Sequence, residues 1–427
     1  MVGPVSWGKT IRWFSATVLF CLGVTAPSGV LAKGGETEQV YAQFKDRVLQ
    51  IQVLDLSSGS KTTIGSGFLA APGGAVVTNF HVIAALINQP GRYRAEYVDQ
   101  HGDRGPLNLV NLDVVHDLAL LRGEGLTGRP LQVAGLLPEK GERLFAFGNP
   151  HDIGLTIVEG TYNGLLERSL YEKIHFTGSI NPGMSGGPTV NRAGDLVGVN
   201  VSTAGNQVSF LVPACFVAAL VGEPVVPGNF SEVVRRQLLA NQEQYLAPLL
   251  AKPFPTASLS DYRLPGELAA YVRCWGNTPA QNEELYQVVL QSCATDDEIF
   301  LDDHLTTGEI RFRHELYSTS QLNPVRFFGL LKEKFNQPGF HFGGAEENVS
   351  NFSCQTDFVA NGSLDSKLVF CLRRYKKFDG LYDAFLTATT LVGPQEALHT
   401  SLGLTGVSIE NALRFSQHFL ESLQWKR

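Results

Sequence analysis

The sequence predicts an all-β N-terminal part, up to about residue 222, followed by an α+β C-terminal part. In the first part many short apolar runs are punctuated by glycine, which is typical of the short strands of an all-β fold. The turn-rich segment 222–228 marks a boundary. Beyond it, Asn361-Gly362 and Asp379-Gly380 are hairpin signals. A hydrophobic fraction of 44% and a charged fraction of 18% favour globular structure over disorder.

Residues 1–32 have the composition of a secretory signal peptide. They contain two basic residues and no acid, an apolar run from Trp13 to Ala26, and the cleavage-site sequence Val30-Leu31-Ala32. The run is too short to span a bilayer, so we expect cleavage after Ala32, no stable membrane anchor afterwards, and a periplasmic or secreted location. Cleavage changes the formal net charge from −7 to −9, and a mildly acidic chain does not indicate nucleic acid as a partner.

A short helix is predicted for residues 36–48, which are polar and helix-tolerant. Apolar residues recur there at helical spacing: Val40, Tyr41, Phe44 and Val48. The helix is expected to run into a strand over Leu49–Leu54.

His81 and Asp117 are two candidate catalytic residues. His81 ends an apolar, β-branched run that begins at Ala75, which indicates a strand running into a turn. The alternative is that His81 is a core histidine whose ring nitrogens are hydrogen-bonded and that has no catalytic role. Asp117 is flanked by hydrophobic residues, and burying its carboxylate is costly unless it is hydrogen-bonded. A hydrogen bond from a histidine imidazole is one way to provide the partner that the Asp117 carboxylate needs.

Ser185 lies in the stretch Asn181-Pro182-Gly183-Met184-Ser185-Gly186-Gly187-Pro188. Gly183 lets the backbone turn so that the amides of Gly183 and Ser185 point into one small space. Two such amides form an oxyanion hole, which stabilises the negative charge on an attacked carbonyl. Read alone, the stretch is also compatible with a plain glycine-rich turn.

The three segments together predict a catalytic triad. The chain order His81, Asp117, Ser185 is the order found in chymotrypsin-type enzymes. In that scheme Ser185 attacks, His81 takes its proton, and Asp117 fixes the histidine tautomer and stabilises its charged form.

Several motifs in this order resemble the HtrA (Do-like) branch of trypsin-like serine proteases, over about residues 37–222. They are Gly65-Ser66-Gly67-Phe68, Thr78-Asn79-Phe80-His81-Val82, His116-Asp117-Leu118-Ala119-Leu120-Leu121, Gly148-Asn149-Pro150, the stretch around Ser185, Gly194-Asp195-Leu196-Val197-Gly198-Val199-Asn200 and Phe210-Leu211-Val212-Pro213. The resemblance implies two six-stranded antiparallel β-barrels with the active site in the cleft between them.

The resemblance also allows a comparison with trypsin in two respects, the activation of the site and the residues that line its primary pocket. Met184 stands where trypsin has the aspartate that pairs with a new N-terminus, so that activation route is closed, although Met184 is also compatible with inert packing. Ser179, at the base of the primary pocket, is not an acid, so selection for Arg or Lys is not implied. Ile180 is expected to line a shallow apolar pocket for small or medium aliphatic residues, with barrel core as its alternative role.

An extended substrate is expected to pair by β-addition along the edge strand 199–203, and thus with Val201, Ser202 and Thr203. The protease domain is predicted for residues 33–222, and a helical connector and linker for 223–261. In the connector, Ser231 caps a predicted helix to about Ala247.

The C-terminal residues 262–427 are predicted to form a separate α+β accessory domain. They do not resemble the PDZ domain that usually follows in HtrA proteins, because no Gly-Leu-Gly-Phe-type loop is present. Strands are expected near 309–317, 353–360, 366–378 and 381–391. The last helix is expected to start near Ser408, with an apolar stripe toward the core.

Two disulfides are predicted in this exported chain. A hairpin turn at Asn361-Gly362 places Cys354 opposite Cys371, and elimination leaves Cys274–Cys293. A helix from Thr278-Pro279 to about Gln291 would make the second pair the tighter one. The fifth mature cysteine, Cys215, is expected to be a buried free thiol.

We expect no cofactor, since neither a zinc or calcium ligand pattern nor a phosphate-binding loop is evident in the sequence. The sequence therefore favours an exported serine endopeptidase acting on proteins or peptides, including unfolded ones. A gated or inactive protease fold serving as a chaperone or binding adaptor is the main alternative. Hydrolysis of non-peptide esters is a third, because the same residues perform acyl transfer.

Overall fold

The computed structural model describes residues 35–205, 207–223, 228–277, 285–337, 339–361, 364–390 and 393–425. The predicted signal peptide and its cleavage site lie outside the described residues, as do Gly362 and the predicted helix start at Thr278-Pro279. Within the described ranges, no helix is both long enough and apolar enough to cross a membrane.

The first closed barrel follows a leading helix, α1 (Glu36–Phe44), which ends in the 3₁₀ turn Lys45–Arg47. Its strands are β1 (Val48–Asp55), β2 (Lys61–Ala71), β3 (Ala75–Thr78), β4 (Tyr93–Val98), β5 (Arg104–Asp113) and β6 (Leu118–Gly123), with helix α2 (Phe80–Asn88) after β3. They close antiparallel in the order β1-β2-β3-β6-β5-β4. The predicted leading helix and first strand are thus present.

The second closed barrel has the same architecture. Its strands are β7 (Arg143–Gly148), β8 (Thr156–Leu165), β9 (Ile174–Phe176), β10 (Pro188–Val190), β11 (Leu196–Gly205) and β12 (Val208–Pro213), in the order β10-β11-β12-β9-β8-β7. The fold class predicted for this part is therefore confirmed. Apolar side chains from both barrels and from α1, among them Phe44, Phe68 and Phe147, form one buried cluster between them.

Two helices follow the second barrel, α3 (Ala214–Gly222) and α4 (Phe230–Leu250). Helix α4 begins one residue before the predicted cap. Asn229, not Ser231, is its N-cap, and the Asn229 side chain accepts a hydrogen bond from the backbone N–H of Glu232 at 3.3 Å. Cys215 lies in the first turn of α3, and it is free but exposed, so the prediction of a buried thiol was wrong.

The C-terminal region is built around a seven-stranded antiparallel sheet. Its elements in chain order are β13 (Thr256–Leu259), β14 (Tyr262–Pro265), β15 (Val272–Asn277), β16 (Gln287–Thr295), β17 (Ile299–Asp302), β18 (Leu305–Thr307), β19 (Ile310–Ser318), α5 (Pro324–Phe335), β20 (Ser353–Asn361), β21 (Leu364–Arg374), β22 (Tyr382–Thr390), β23 (Glu396–Val407), α6 (Ile409–Glu421) and β24 (Gln424–Trp425). The large sheet has the order β15-β16-β19-β23-β22-β21-β20, while β17 and β18 form a separate hairpin.

Helices cover both faces of the large sheet, which confirms the α+β class. Helix α6 packs on one face through Phe415 and Phe419, together with the end of α4. Helix α5 packs on the other face, where Phe327 and Leu331 form a cluster with Tyr317 of β19. On the same strand, Phe312 belongs to the cluster with α6, and it points to the opposite face from Tyr317 because the two are an odd number of residues apart. Helix α6 starts next to Ser408, as expected, and the Ser408 side chain caps it by accepting a hydrogen bond from the Asn411 backbone N–H.

Both predicted disulfides are present, Cys354–Cys371 and Cys274–Cys293. Cys354 faces Cys371 across β20 and β21, in the register expected for a turn at Asn361-Gly362. The second pair forms differently from the prediction. The expected helix to about Gln291 was wrong, since β16 pairs there with β15 and places Cys274 opposite Cys293. The β-branched residues at the start of β16 favour this strand.

One continuous apolar core joins the first barrel to the C-terminal region. It includes barrel residues such as Ile51, the inward face of α2, and Val234 and Leu238 of α4. Ile299 and Leu301 of β17 complete it from the C-terminal side, with 2% and 1% of their surface exposed. The β17–β18 hairpin is therefore packed directly onto the barrel that carries His81.

Candidate active site

His81 and Asp117 form a close pair at the edge of the first barrel. His81 lies in the first turn of α2, which follows the predicted strand, and Asp117 lies in the turn between β5 and β6. The distance from His81 Nδ1 to Asp117 Oδ2 is 2.7 Å, and Asp117 Oδ1 accepts a hydrogen bond from the His81 backbone N–H at 2.8 Å. Both carboxylate oxygens are thus used to hold the same residue.

The backbone of Asp117 is strained. Its φ of 55° lies in the left-handed region, which non-glycine residues seldom occupy. Its carbonyl accepts hydrogen bonds from Asn79 Nδ2 at 2.8 Å and from the Phe80 backbone N–H at 3.1 Å, which hold this conformation. Strain of this kind is concentrated at functional sites, where the surroundings maintain it.

The charges around His81 raise its pKa. Burial lowers the pKa of His81, but the charge of Asp117 and its hydrogen bond outweigh this effect, and Asp303 adds to the increase. The pKa therefore lies above its usual value. A raised pKa makes the neutral imidazole a better acceptor for a serine proton.

Ser185 lies beside the edge strand of the second barrel. Its hydroxyl donates a hydrogen bond to the Val201 carbonyl at 3.2 Å. For proton transfer to His81, the hydroxyl has to rotate away from this carbonyl. Hydrogen bonds between catalytic groups often form only when substrate is bound.

The predicted oxyanion hole involves the backbone amides of Gly183 and Ser185. Gly183 has a φ of 95°, and a Cβ added to it would lie 2.5 Å from the Asn149 carbonyl oxygen, so only glycine fits. The Pro182 carbonyl accepts a hydrogen bond from the His151 backbone N–H at 3.0 Å. Because the C=O and N–H of a trans peptide point in opposite directions, the Gly183 N–H points away from His151. Among the described residues, none accepts a hydrogen bond from the Gly183 or Ser185 N–H.

Ser66 holds this arrangement together. It is fully buried, and its hydroxyl donates to the Gly183 carbonyl at 2.8 Å and accepts from the Asn149 N–H at 2.9 Å. Its backbone N–H donates to the Ser185 carbonyl at 2.8 Å. Sequence reasoning gave Ser66 no role, although the motif Gly65-Ser66-Gly67-Phe68 pointed to this position.

The predicted substrate-pairing edge is open. Strand β11 pairs with β10 as far as Val199. Beyond Asn200, none of the described strands pairs with the edge of β11 on that side. Ser202 and Thr203 are exposed there. Val201 lies at an irregularity of the β11–β12 pairing, and such bulges are common next to active sites.

The two predicted pocket residues lie in different environments. Ser179 is exposed. Ile180 is only 4% exposed and packs in the core of the second barrel with Phe176 and with Met184, which is fully buried. The structure thus brings His81, Asp117 and Val201 to one cavity and places the Ser185 hydroxyl in hydrogen-bond contact with Val201, whereas the role of Ile180 in a pocket stays a prediction.

A second histidine–aspartate pair lies close by. His116 Nδ1 is 2.6 Å from Asp113 Oδ2, and the His116 ring stacks on Phe216 with ring centres 3.7 Å apart. This pair is packed against aromatic rings rather than beside Ser185.

One residue of the C-terminal region reaches His81. Phe300, in β17, packs edge-to-face against the His81 ring with ring centres 5.8 Å apart. No local sequence signal points to Phe300, because the contact joins residues far apart in the chain.

Part of this chain is similar to known proteins. Residues 65–199, which include the three candidate catalytic residues, match the family model of the trypsin-like peptidase domain. Protease Do-like 1, chloroplastic, from Arabidopsis thaliana is 32% identical over 203 residues, which cover 43% of this chain and 43% of that protein. Serine protease HTRA3 from Homo sapiens is 29% identical over 161 residues, which cover 35% of each protein. This chain thus spans less than half the length of these two relatives.

Two solved structures are also similar. The serine endoprotease from Yersinia pestis is 25% identical with a TM-score of 0.38, and the match covers 43% of this chain and 64% of that one. Deg5 is 30% identical with a TM-score of 0.38, and the match covers 44% of this chain and 92% of that one. The relatives named Protease Do-like and HTRA confirm the predicted resemblance to the HtrA (Do-like) branch.

Proposed function

We propose that this chain is an exported serine endopeptidase that cleaves peptide bonds through the triad Ser185, His81 and Asp117. The observation that carries the proposal is the 2.7 Å contact between His81 Nδ1 and Asp117 Oδ2. This contact leaves His81 Nε2 as the atom that can accept a proton. The match to the trypsin-like peptidase domain and the names of the relatives support the same activity.

The reaction proceeds in two halves. Ser185 Oγ attacks the scissile carbonyl carbon while its proton passes to His81 Nε2, and the oxyanion accepts hydrogen bonds from the N–H groups of Gly183 and Ser185. His81 then protonates the leaving amine as the C–N bond breaks, which gives an acyl-enzyme on Ser185. Water attacks the acyl carbonyl, its proton passes to His81, and this proton returns to Ser185 as the acid leaves.

The substrate is an extended protein or peptide segment. It pairs with the open edge at Val201, Ser202 and Thr203, and its main chain supplies most of the binding energy. Ser179 provides no negative charge for Arg or Lys. The buried Ile180 limits the primary pocket to small or medium aliphatic side chains, so cleavage follows Val, Ala or Leu.

Export places the enzyme in the periplasm or outside the cell. The proposal assigns residues 1–32 to a signal peptide, 33–222 to the protease domain, 223–261 to the connector and linker, and 262–427 to the accessory domain. The two disulfides agree with an oxidising compartment, because such bonds are rare in the cytosol.

A second candidate function is supported by the hydrogen bond from the Ser185 hydroxyl to the Val201 carbonyl. A serine held in this position is not activated. The chain would then act as a chaperone or binding adaptor that holds extended segments without cutting them.

Active-site labelling of residues 33–427 distinguishes the two functions. A fluorophosphonate probe is expected to label Ser185, the Ser185→Ala variant is expected to stay unlabelled, and unfolded casein is expected to be cleaved after small or medium aliphatic residues. Absence of both labelling and cleavage in the folded protein would contradict the protease and favour the adaptor.

A further inference from the structure

The β17–β18 hairpin presents two different faces. Ile299 and Leu301 point into the core shared with the first barrel and are almost completely buried. Phe300 lies between them and points to the opposite side, since neighbouring residues of a strand alternate. That side is the cleft, where the Phe300 ring meets His81.

The hairpin is held in place from both sides. Toward the protease, the Asn88 side-chain amide at the end of α2 donates a hydrogen bond to the Leu301 carbonyl at 2.8 Å. Behind the hairpin, Val349 and Tyr375 of the C-terminal region belong to the same buried core. Asp302 also accepts a hydrogen bond from the side chain of Asn348. These contacts make the hairpin a fixed wall of the cleft.

A cavity of about 470 Å³ lies between this wall and the open edge strand. Its walls include His81 and Asp117 from the first barrel and Val201 and Phe210 from the second. Phe300 closes it from the C-terminal side. The cavity is thus in direct contact with two triad residues and with the edge on which a substrate pairs.

We propose that this cavity is the subsite for the P2 side chain, the residue that precedes the P1 residue of the substrate, and that Phe300 determines its specificity. The proposal rests on the proposed function, because it needs an extended substrate on the edge strand. It assigns to the C-terminal region a direct part in substrate selection.

The pleat of an extended substrate leads to this assignment. The P1 carbonyl must lie at Ser185, and the P1 side chain points toward the second barrel near Ile180. The next side chain points to the opposite face of the substrate strand. On that face lie His81 and, beyond it, Phe300.

The lining of the cavity indicates which P2 side chains it takes. Phe300, Phe210 and Val201 supply apolar surface around its inner part, while the exposed Glu172, Asp296 and Glu298 lie at its border. A bulky apolar side chain such as leucine gains contacts with both aromatic rings. A glycine at P2 leaves them exposed. The subsite therefore selects bulky apolar P2 residues.

Peptide binding to the Ser185→Ala variant tests this subsite without requiring catalysis. Two fluorescent peptides with valine at P1, identical except for leucine or glycine at P2, are titrated against residues 33–427. Fluorescence anisotropy gives the ratio of their dissociation constants. The same ratio is measured after adding Phe300→Ala, Phe300→Trp, or the control Phe358→Ala, which changes an exposed phenylalanine of β20.

The leucine peptide is expected to bind about tenfold more tightly than the glycine peptide, a ratio typical for an apolar pocket. Phe300→Ala removes one wall and the larger ring of Phe300→Trp narrows the subsite beside His81, so both are expected to reduce the ratio below about threefold. Phe358→Ala is expected to leave it unchanged. The proposal would be overturned if the Phe300 variants kept the same ratio as the Ser185→Ala parent, if the ratio in the parent were near one, or if neither peptide bound. If Ser185 were not labelled by the fluorophosphonate but the P2 preference were present, only the proposed protease activity would be contradicted.

Discussion

The two walls of the cleft are built by different physical means. On the barrel side, Asp117 and Ser66 direct hydrogen bonds at particular backbone and ring atoms. On the C-terminal side, the β17–β18 hairpin is held mainly by apolar packing, and Phe300 offers a ring rather than a hydrogen bond. The first wall orients individual atoms through hydrogen bonds, and the second provides shape. We therefore expect substitutions in the first wall to change the rate and those in the second to change selectivity.

Asp117→Asn is expected to have the largest effect, a fall in kcat of about 10⁴-fold, because an amide cannot hold the required histidine tautomer. The matched variant is Asp113→Asn, which changes the neighbouring pair with His116. It is expected to change kcat by less than about tenfold. Steady-state cleavage of a fluorogenic peptide measures both. Equal losses in the two variants would contradict the assignment of Asp117 to the triad.

Removing the disulfides compares the two edges of the C-terminal sheet. The loops closed by Cys274–Cys293 and Cys354–Cys371 span 19 and 17 residues, so each Cys→Ser pair is expected to lower the free energy of unfolding by about 3 kcal/mol. Urea unfolding measures this change. Since β16 leads directly into the β17–β18 hairpin, only loss of Cys274–Cys293 is expected to alter P2 selectivity as well. A similar change of selectivity on loss of Cys354–Cys371 would show that the hairpin is not supported locally.

Ser66→Ala is expected to loosen the oxyanion hole. The Gly183 carbonyl and the Asn149 N–H lose their partner, at a cost of about 1–3 kcal/mol in stability. The fall in kcat is expected to be about ten- to a hundredfold, less than for removal of an oxyanion donor itself. Ser366→Ala, a buried serine of β21, serves as the comparison for stability alone. An unchanged kcat at full saturation would rule out this role for Ser66.

Asp303→Asn is expected to have the smallest effect, a shift of the pH profile. Asp303 favours protonated His81 and so raises the pKa of His81 together with Asp117. Because the general base must be neutral, activity is lost as pH falls through this raised pKa. Removing the Asp303 charge lowers the pKa of His81 and moves the acid limb of kcat/KM to lower pH. Asp357→Asn, at an exposed position of β20, is expected to leave the limb in place.

The direction of this shift depends on Asp303 alone, since the other titratable groups near His81 stay unchanged. These are Asp117 in the β5–β6 turn and, around the cavity, His116, Glu172, Lys173, Asp296 and Glu298. A shift to higher pH in Asp303→Asn would contradict the electrostatic argument.

Local signals were sufficient for much of the fold. The disulfide Cys354–Cys371 followed from the register that an Asn-Gly turn imposes, and the last helix followed from its apolar stripe. Strand β23 gave no such signal, because almost every residue of Glu396–Val407 is buried and the alternation of a half-exposed strand is absent. Strand β16 was mistaken for a helix because Thr278-Pro279, upstream of it in the sequence, resembled a helix start.

The candidate site shows the same limit. His81, Asp117 and Ser185 could be predicted because their motifs follow in a specific order along the chain. Phe300 was missed because its contact with His81 depends on how two separate regions pack, and nothing within β17 distinguishes its ring from any other surface phenylalanine.

Photocrosslinking from the P2 position tests most directly whether the C-terminal region forms part of the cleft. A peptide with valine at P1 and a benzophenone side chain at P2 is bound to the Ser185→Ala variant of residues 33–427 and irradiated, and the crosslinked tryptic peptide is identified by mass spectrometry. A second peptide with the benzophenone at P1 provides the comparison. The P2 probe is expected to attach to the tryptic segment 274–311, which contains Phe300, and the P1 probe to the second barrel. Attachment of the P2 probe to the barrels alone would contradict a cleft built by both regions.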